Sequence, residues 1–161
     1  MQDLLIELEI EGLSSRIKRL SDALLYSTRD LYKSEGLDIE PNWNLIFRLF
    51  QHQNEITITE ISERLQFSHP AVVKIVNKMK EKGYVVTSSD SLDKRKQNIM
   101  LTTKAKETLK IIEPYWNIGT QVIQDLIENS PNFLKEITEI ENKIKEKSYK
   151  ERALEKLNQE K

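Results

Sequence analysis

The chain has 161 residues, 38% hydrophobic and 32% charged, with a formal net charge of −1. That is enough apolar material for one domain with a modest core and a well-solvated surface. The absence of cysteine excludes a disulfide framework, a thiolate zinc site and thiol-based redox sensing, and no apolar run approaches the roughly 18 residues of a membrane span. The start, Met1-Gln2-Asp3-Leu4-Leu5, lacks the basic region of a secretory signal, so a cytoplasmic protein is expected.

The near-neutral average hides an asymmetry. Residues 64–106 carry ten Lys and Arg against three acids, a net charge of +7, and the remainder carries −8. A basic segment in an acidic chain suits one face meeting a polyanion. Charge alone fits a chance cluster on a solvated surface equally well.

Only four glycines and four prolines punctuate the chain, so long helices are expected. Leu13, Ile17, Leu20, Leu24, Leu25, Leu31 and Tyr32 keep a helical period up to about Gly36. After the loop 37–40, Pro41 is placed as the first residue of a second helix with Trp43, Ile46, Phe47, Leu49 and Phe50 on its apolar side. Ile56-Thr57-Ile58 reads as a short strand. Thr57 followed by Glu60 is a capping-box signature for a third helix with Ile61 and Leu65 inward. Ser68 is positioned to cap a fourth helix running to about Lys82, with Pro70 in its first turn and Val72, Ile75, Val76 and Met79 as its buried stripe. Gly83 is the expected left-handed stop.

Residues 84–87 and 97–101 read as the two strands of a hairpin with a polar tip, 88–96. A fifth helix is expected from Thr103 to about Glu128, kinked at Pro114, and a sixth carries Phe133, Leu134, Ile137, Ile140 and Ile144. Past Lys145 the chain is a charged run with Tyr149, Leu154 and Leu157 for packing. The expected fold class is mainly α with a small β-wing: a winged helix-turn-helix flanked by N- and C-terminal helices. The outer apolar stripes are too long for the central module to cover, which implies a homodimer.

The stretch Ile56-Thr57-Ile58-Thr59-Glu60-Ile61-Ser62-Glu63-Arg64-Leu65 resembles the first helix of a MarR-type helix-turn-helix. Residues 68–85, from Ser68-His69-Pro70-Ala71 to Gly83-Tyr84-Val85, are similar to its recognition helix and the turn into the wing. Asp93-Lys94-Arg95 stands where the family has its wing Asp-x-Arg, and Leu101-Thr102 where it has Leu-Thr. The resemblance covers about residues 56–106. The chain departs from the family at Thr87-Ser88, where an arginine is common, at Ala105, where glycine is usual, and at Ser62, where alanine is common. The implied organisation is an N-terminal dimerisation helix over 1–36, a winged helix-turn-helix DNA-binding domain over 37–106, and C-terminal dimerisation helices over 107–161.

In that arrangement Ser68, His69, Pro70, Ala71, Val73, Lys74 and Asn77 face away from the core stripe and toward a major groove. Asn77 has the paired donor and acceptor that read adenine, and His69 or Lys74 reach guanine N7 or O6. Lys74 and Lys78 reach bases or phosphates, with phosphates nearer along most of the groove. The resemblance implies that Arg95 enters the minor groove, where narrow A·T tracts concentrate negative potential. Asp93 would hold the Arg95 guanidinium, and Lys94 and Lys96 would meet phosphates. It also implies an effector pocket at the junction of the flanking helices and the winged helix, for which Trp43, Phe47, Tyr115 and Trp116 are the candidates.

His52 and His69 have no companions to make a metal site, so no metal or cofactor is expected. Glycine-rich phosphate loops, Gly-x-Ser-x-Gly and His-Glu-x-x-His are absent from the sequence, and an enzyme is not expected. Two functions of different class remain. One is a dimeric, sequence-specific transcriptional regulator, a repressor or an activator, tuned by a small molecule. The other is a winged-helix module that docks on protein.

Overall fold

The apolar period that starts at Leu13 folds as α2 (Leu13–Ser34). It is preceded by a single helical turn, α1 (Leu4–Glu7), whose N-cap Asp3 accepts a hydrogen bond from the Leu5 amide at 3.0 Å. The turn joining them needs glycine: a Cβ on Gly12 would lie 2.3 Å from the Leu5 carbonyl oxygen. The computed structural model describes residues 2–89 and 97–160, divided into two units, Met1–Ile112 and Glu113–Lys161.

In the first unit, α3 (Trp43–Leu49) begins two residues later than Pro41 suggests. The Trp43 amide donates to the Glu40 carbonyl at 3.0 Å, so Pro41 and Asn42 form a tighter turn before the helix opens. α4 (Ile58–Leu65) has the expected capping box. The Glu60 amide donates to Thr57 Oγ1 at 3.2 Å, and Glu60 Oε2 accepts from the Thr57 amide at 2.7 Å. Between α4 and α5 (His69–Glu81) the chain reverses through Gln66, which is left-handed at φ 54°. The Phe67 amide bonds back to the Ser62 carbonyl at 3.1 Å. A non-glycine residue in that conformation costs about 1–2 kcal/mol, which the packing of α4 on α5 has to offset. α5 stops at Gly83, left-handed at φ 73°.

Three strands form an antiparallel sheet in the order β1-β3-β2, with β1 (Glu55–Thr57), β2 (Val85–Ser89) and β3 (Gln97–Leu101). The register pairs Ile56 with Ile99 and Val85 with Leu101. Ile56, Ile99 and Val85 are buried, so the period-2 pattern turns one face of the sheet inward. Trp43, Ile46 and Phe47 of α3, Ile61 of α4, and Val72, Val76 and Met79 of α5 are buried as well. Tyr84 meets the edges of Trp43 and Phe47 at 5.2 and 6.2 Å between ring centroids.

The Leu101-Thr102 motif acquires a structural role. Thr102 Oγ1 donates to the Gly83 carbonyl at 2.7 Å and accepts from the Ala105 amide at 3.2 Å. It thereby ties the end of the hairpin to the end of α5 while capping α6 (Thr103–Ile127). Ala105 is fully buried.

The second unit contains the rest of α6, with Pro114 inside it, then α7 (Phe133–Glu146) and α8 (Tyr149–Gln159). α8 replaces the charged tail expected from the sequence. Ser148 and Glu151 form a capping box, with Ser148 Oγ accepting from the Glu151 amide at 3.3 Å. Most apolar residues of α7 and α8 are exposed, among them Leu134, Ile144, Leu154 and Leu157, while Phe133 is half-buried.

Candidate nucleic-acid interface

One side of α5 is packed into the core. Val72, Val76 and Met79 are buried and pack the helix against α4 and β2. Ser68, His69, Pro70, Ala71, Lys74, Asn77 and Lys78 are exposed, and Val73 is half-buried. Ile75, expected in the buried stripe, is only half-buried, because its position turns it from the stripe toward a cavity described below. Ser68 takes the N-cap conformation (φ −64°, ψ 144°), and its carbonyl accepts from the Val72 amide at 3.1 Å. Its hydroxyl makes no capping bond, so Ser68 keeps a donor and acceptor at the mouth of the helix. Pro70 sits in the first turn, where its missing N–H costs nothing. The expected groove-facing residues therefore share one outward surface.

The C-terminal half of α5 is bound into ion pairs. Glu40, in the loop between α2 and α3, accepts from Lys78 Nζ at 2.5 Å and from Arg29 Nε at 3.0 Å. Lys78 foremost, with Arg29, holds the Glu40 carboxyl below the usual carboxylate value. Lys82 pairs with Asp38, and the Tyr84 hydroxyl donates to the Asp38 carbonyl at 3.1 Å. Burial pushes the Tyr84 phenol up from its usual value. Lys80 donates to Thr87 Oγ1 at 3.0 Å, and Lys104 lies 4.4 Å from the Tyr84 ring centroid. Loop 37–41 thus organises the cations at the end of α5. These partners are 38 to 44 residues apart in sequence, and periodicity carries no signal of such pairs.

An open cavity of about 650 Å³ lies beside α5, lined by Leu25, Trp43, Phe67 and Ile75 with Arg29, Glu40, Lys74 and Lys78 at its polar edge. Of the four expected pocket residues, Trp43 lines this cavity and Phe47 lies in the core of the first unit. Tyr115 and Trp116 belong to the second unit. Asp93, Lys94, Arg95 and Lys96, the wing residues, lie outside the described residues. Among the described residues, no helix is long and apolar enough to cross a membrane, and no cluster of His, Asp or Glu suits a metal ion.

Residues 37–96 match the family model described as the MarR family. A search of curated protein sequences finds no match. Among solved structures, the chain is similar to the organohalide-sensing transcriptional regulator RdhR in its 2,4-dichlorophenol-bound form. That likeness has a TM-score of 0.73 and 22% identity, over 88% of this chain and 85% of the other. It is also similar to MepR of S. aureus in complex with DNA, with a TM-score of 0.69 and 19% identity, over 81% of this chain and 96% of that one. The transcriptional repressor CouR, bound to a 23-mer DNA duplex, gives a TM-score of 0.64 at 19% identity, over 80% and 91% of the two chains. These likenesses establish the winged-helix fold with its flanking helices.

Proposed function

We propose, from the premise that the winged-helix segment of this chain belongs to the MarR family, that the protein is a DNA-binding transcriptional regulator acting as a homodimer. The observation that carries this reading is the outward face of α5. Ser68, His69, Ala71, Lys74 and Asn77 are exposed on a helix whose opposite side is locked into the core. That face lies in a segment of net charge +7. Such a helix enters a major groove end-on, with its first turns at the base edges. The family resemblance adds Arg95 for the minor groove, with Asp93 holding its guanidinium, and Lys94 and Lys96 for phosphates.

The dimer reading is supported by apolar side chains left in solvent within each unit. In the first unit they include Leu13, Ile17 (56% exposed) and Leu20. In the second they include Leu126 (66%), Leu134 (63%) and Ile144 (57%). Stripes of that kind mark association surfaces. A dimer would place two copies of α5 on the half-sites of a pseudo-palindrome, about one helical turn apart. The likeness to a regulator solved in its 2,4-dichlorophenol-bound form supports tuning by a small-molecule effector.

Titrating salt against binding to a mixed-sequence duplex tests the DNA reading. A steep fall of affinity with salt is expected from counterion release. Binding that ignores salt or duplex, with retained docking on a protein, would favour the protein-interaction module instead. Sedimentation at micromolar concentration tests the dimer, and a stable folded monomer of 18.9 kDa would end it.

A further inference from the structure

Glu40 joins two parts of the first unit that the sequence keeps apart. Its side chain is only 17% exposed. Oε1 accepts from Lys78 on the last turn of α5, and Oε2 from Arg29 on α2. The placement of α5 does not depend on this pairing, because Val72, Val76 and Met79 already bury the helix's other face. What the pairing changes is the charge available to a ligand. An ammonium already matched by a carboxylate releases fewer counterions when a phosphate approaches, since the phosphate must displace the acid or share the cation with it. The Glu40 carboxyl, held below its usual value by these two cations, stays ionised at neutral pH.

We infer that Glu40 is a specificity-determining residue: by holding Lys78 it lowers the sequence-independent part of duplex binding and leaves a larger share to base contacts from the first turns of α5. This rests on the DNA-binding reading above. Phosphate contacts add affinity without information, and base contacts carry the discrimination. Restraining a lysine that would otherwise reach a phosphate therefore raises the ratio of specific to non-specific affinity. The Asp38–Lys82 pair is built alike, but its acid is 62% exposed, so it yields to solvent more readily.

The test uses the full chain, with Glu40→Gln, Lys78→Ala and the double variant. Each is titrated with a mixed-sequence duplex over a range of salt by fluorescence anisotropy, and thermal melts check the fold. Glutamine keeps the size of the side chain and an oxygen for Arg29 while removing the charge. Glu40→Gln is expected to steepen the salt slope by about 0.9 per protomer, or about 1.8 for the dimer, which makes dimer binding at 0.1 M salt about 60-fold tighter than at 1 M beyond the wild-type change. Lys78→Ala in the wild-type background is expected to change the slope far less than that, and in the Glu40→Gln background to erase the gain. An unchanged or weaker Glu40→Gln variant overturns the inference, as does a gain that survives Lys78→Ala. Should Glu40→Gln fail to fold, Glu40→Ala takes its place with and without Lys78→Ala: a steeper slope that Lys78→Ala erases supports the inference, and an unchanged slope overturns it. Failure of the underlying reading looks different, because the wild type itself then shows no salt-dependent duplex binding.

Discussion

Truncating Ile61 probes how α5 is held. Ile61 lies on α4 with no exposed surface, and α4 packs on α5. Ile61→Ala removes the equivalent of three methylenes, each worth about 0.8 kcal/mol of burial, which gives about 2.4 kcal/mol of transfer energy. A residual void of about 40 Å³ adds about 1 kcal/mol at ~24 cal/mol per Å³. The expected loss is therefore about 3–3.5 kcal/mol, against about 0.5–1.5 for Ile61→Val. For a chain of this length that corresponds to a fall in Tm of about 6–14 °C for the alanine variant. Urea unfolding followed by far-ultraviolet circular dichroism reads the loss directly, at one fixed protomer concentration because association would shift the midpoint. Below the transition, DNA affinity should fall only with the folded fraction. A loss under about 1 kcal/mol at unchanged m-value, or a valine variant as costly as the alanine one, would refute the packing argument.

Further outcomes are expected at the interface. Asn77→Ala should relax preference at one base position per half-site, by about 1–3 kcal/mol at that base; identical site logos for variant and wild type in selection from a random library would make Asn77 a bystander. Arg95→Ala should weaken binding to duplex DNA by about 1–3 kcal/mol with little effect on the fold, and unchanged affinity at physiological salt would show the wing is not engaged. Glu40 predicts a pH effect. Its carboxyl is lowered in the folded state from a reference of 4.5, by Lys78 first and then Arg29. Its stabilisation is therefore complete above that reference and is lost as pH falls through the folded value. The stability gap between wild type and Glu40→Gln should close on acidification below about pH 4.5, and parallel curves in urea unfolding would contradict this.

Much of the architecture was legible because it rests on local signals. Thr57 and Glu60 announced the start of α4, and Gly83 announced the stop of α5. The apolar spacing of Val72, Val76 and Met79 announced which side of α5 is buried. Ser148 and Glu151 carried the same capping signature for α8, but it was obscured by the charge of the surrounding run. The left-handed Gln66 had no signal, since glutamine has no preference for that conformation and the turn is imposed by α4 packing on α5.

By itself the sequence determined the order of elements from α2 to α7, the outward residues of α5 and the basic character of the segment that carries them. Hydrophobic period, caps and charge are local properties that neighbouring residues settle among themselves. Only the tertiary structure decided which cations of that segment are already engaged. Glu40 meets Lys78 across 38 residues and Arg29 across 11, Asp38 meets Lys82 across 44, and Thr102 closes on Gly83 across 19. Contacts of that range exist only once the core has brought α2, the 37–41 loop and α5 together, because a charge chooses its partner by distance in space, not in sequence.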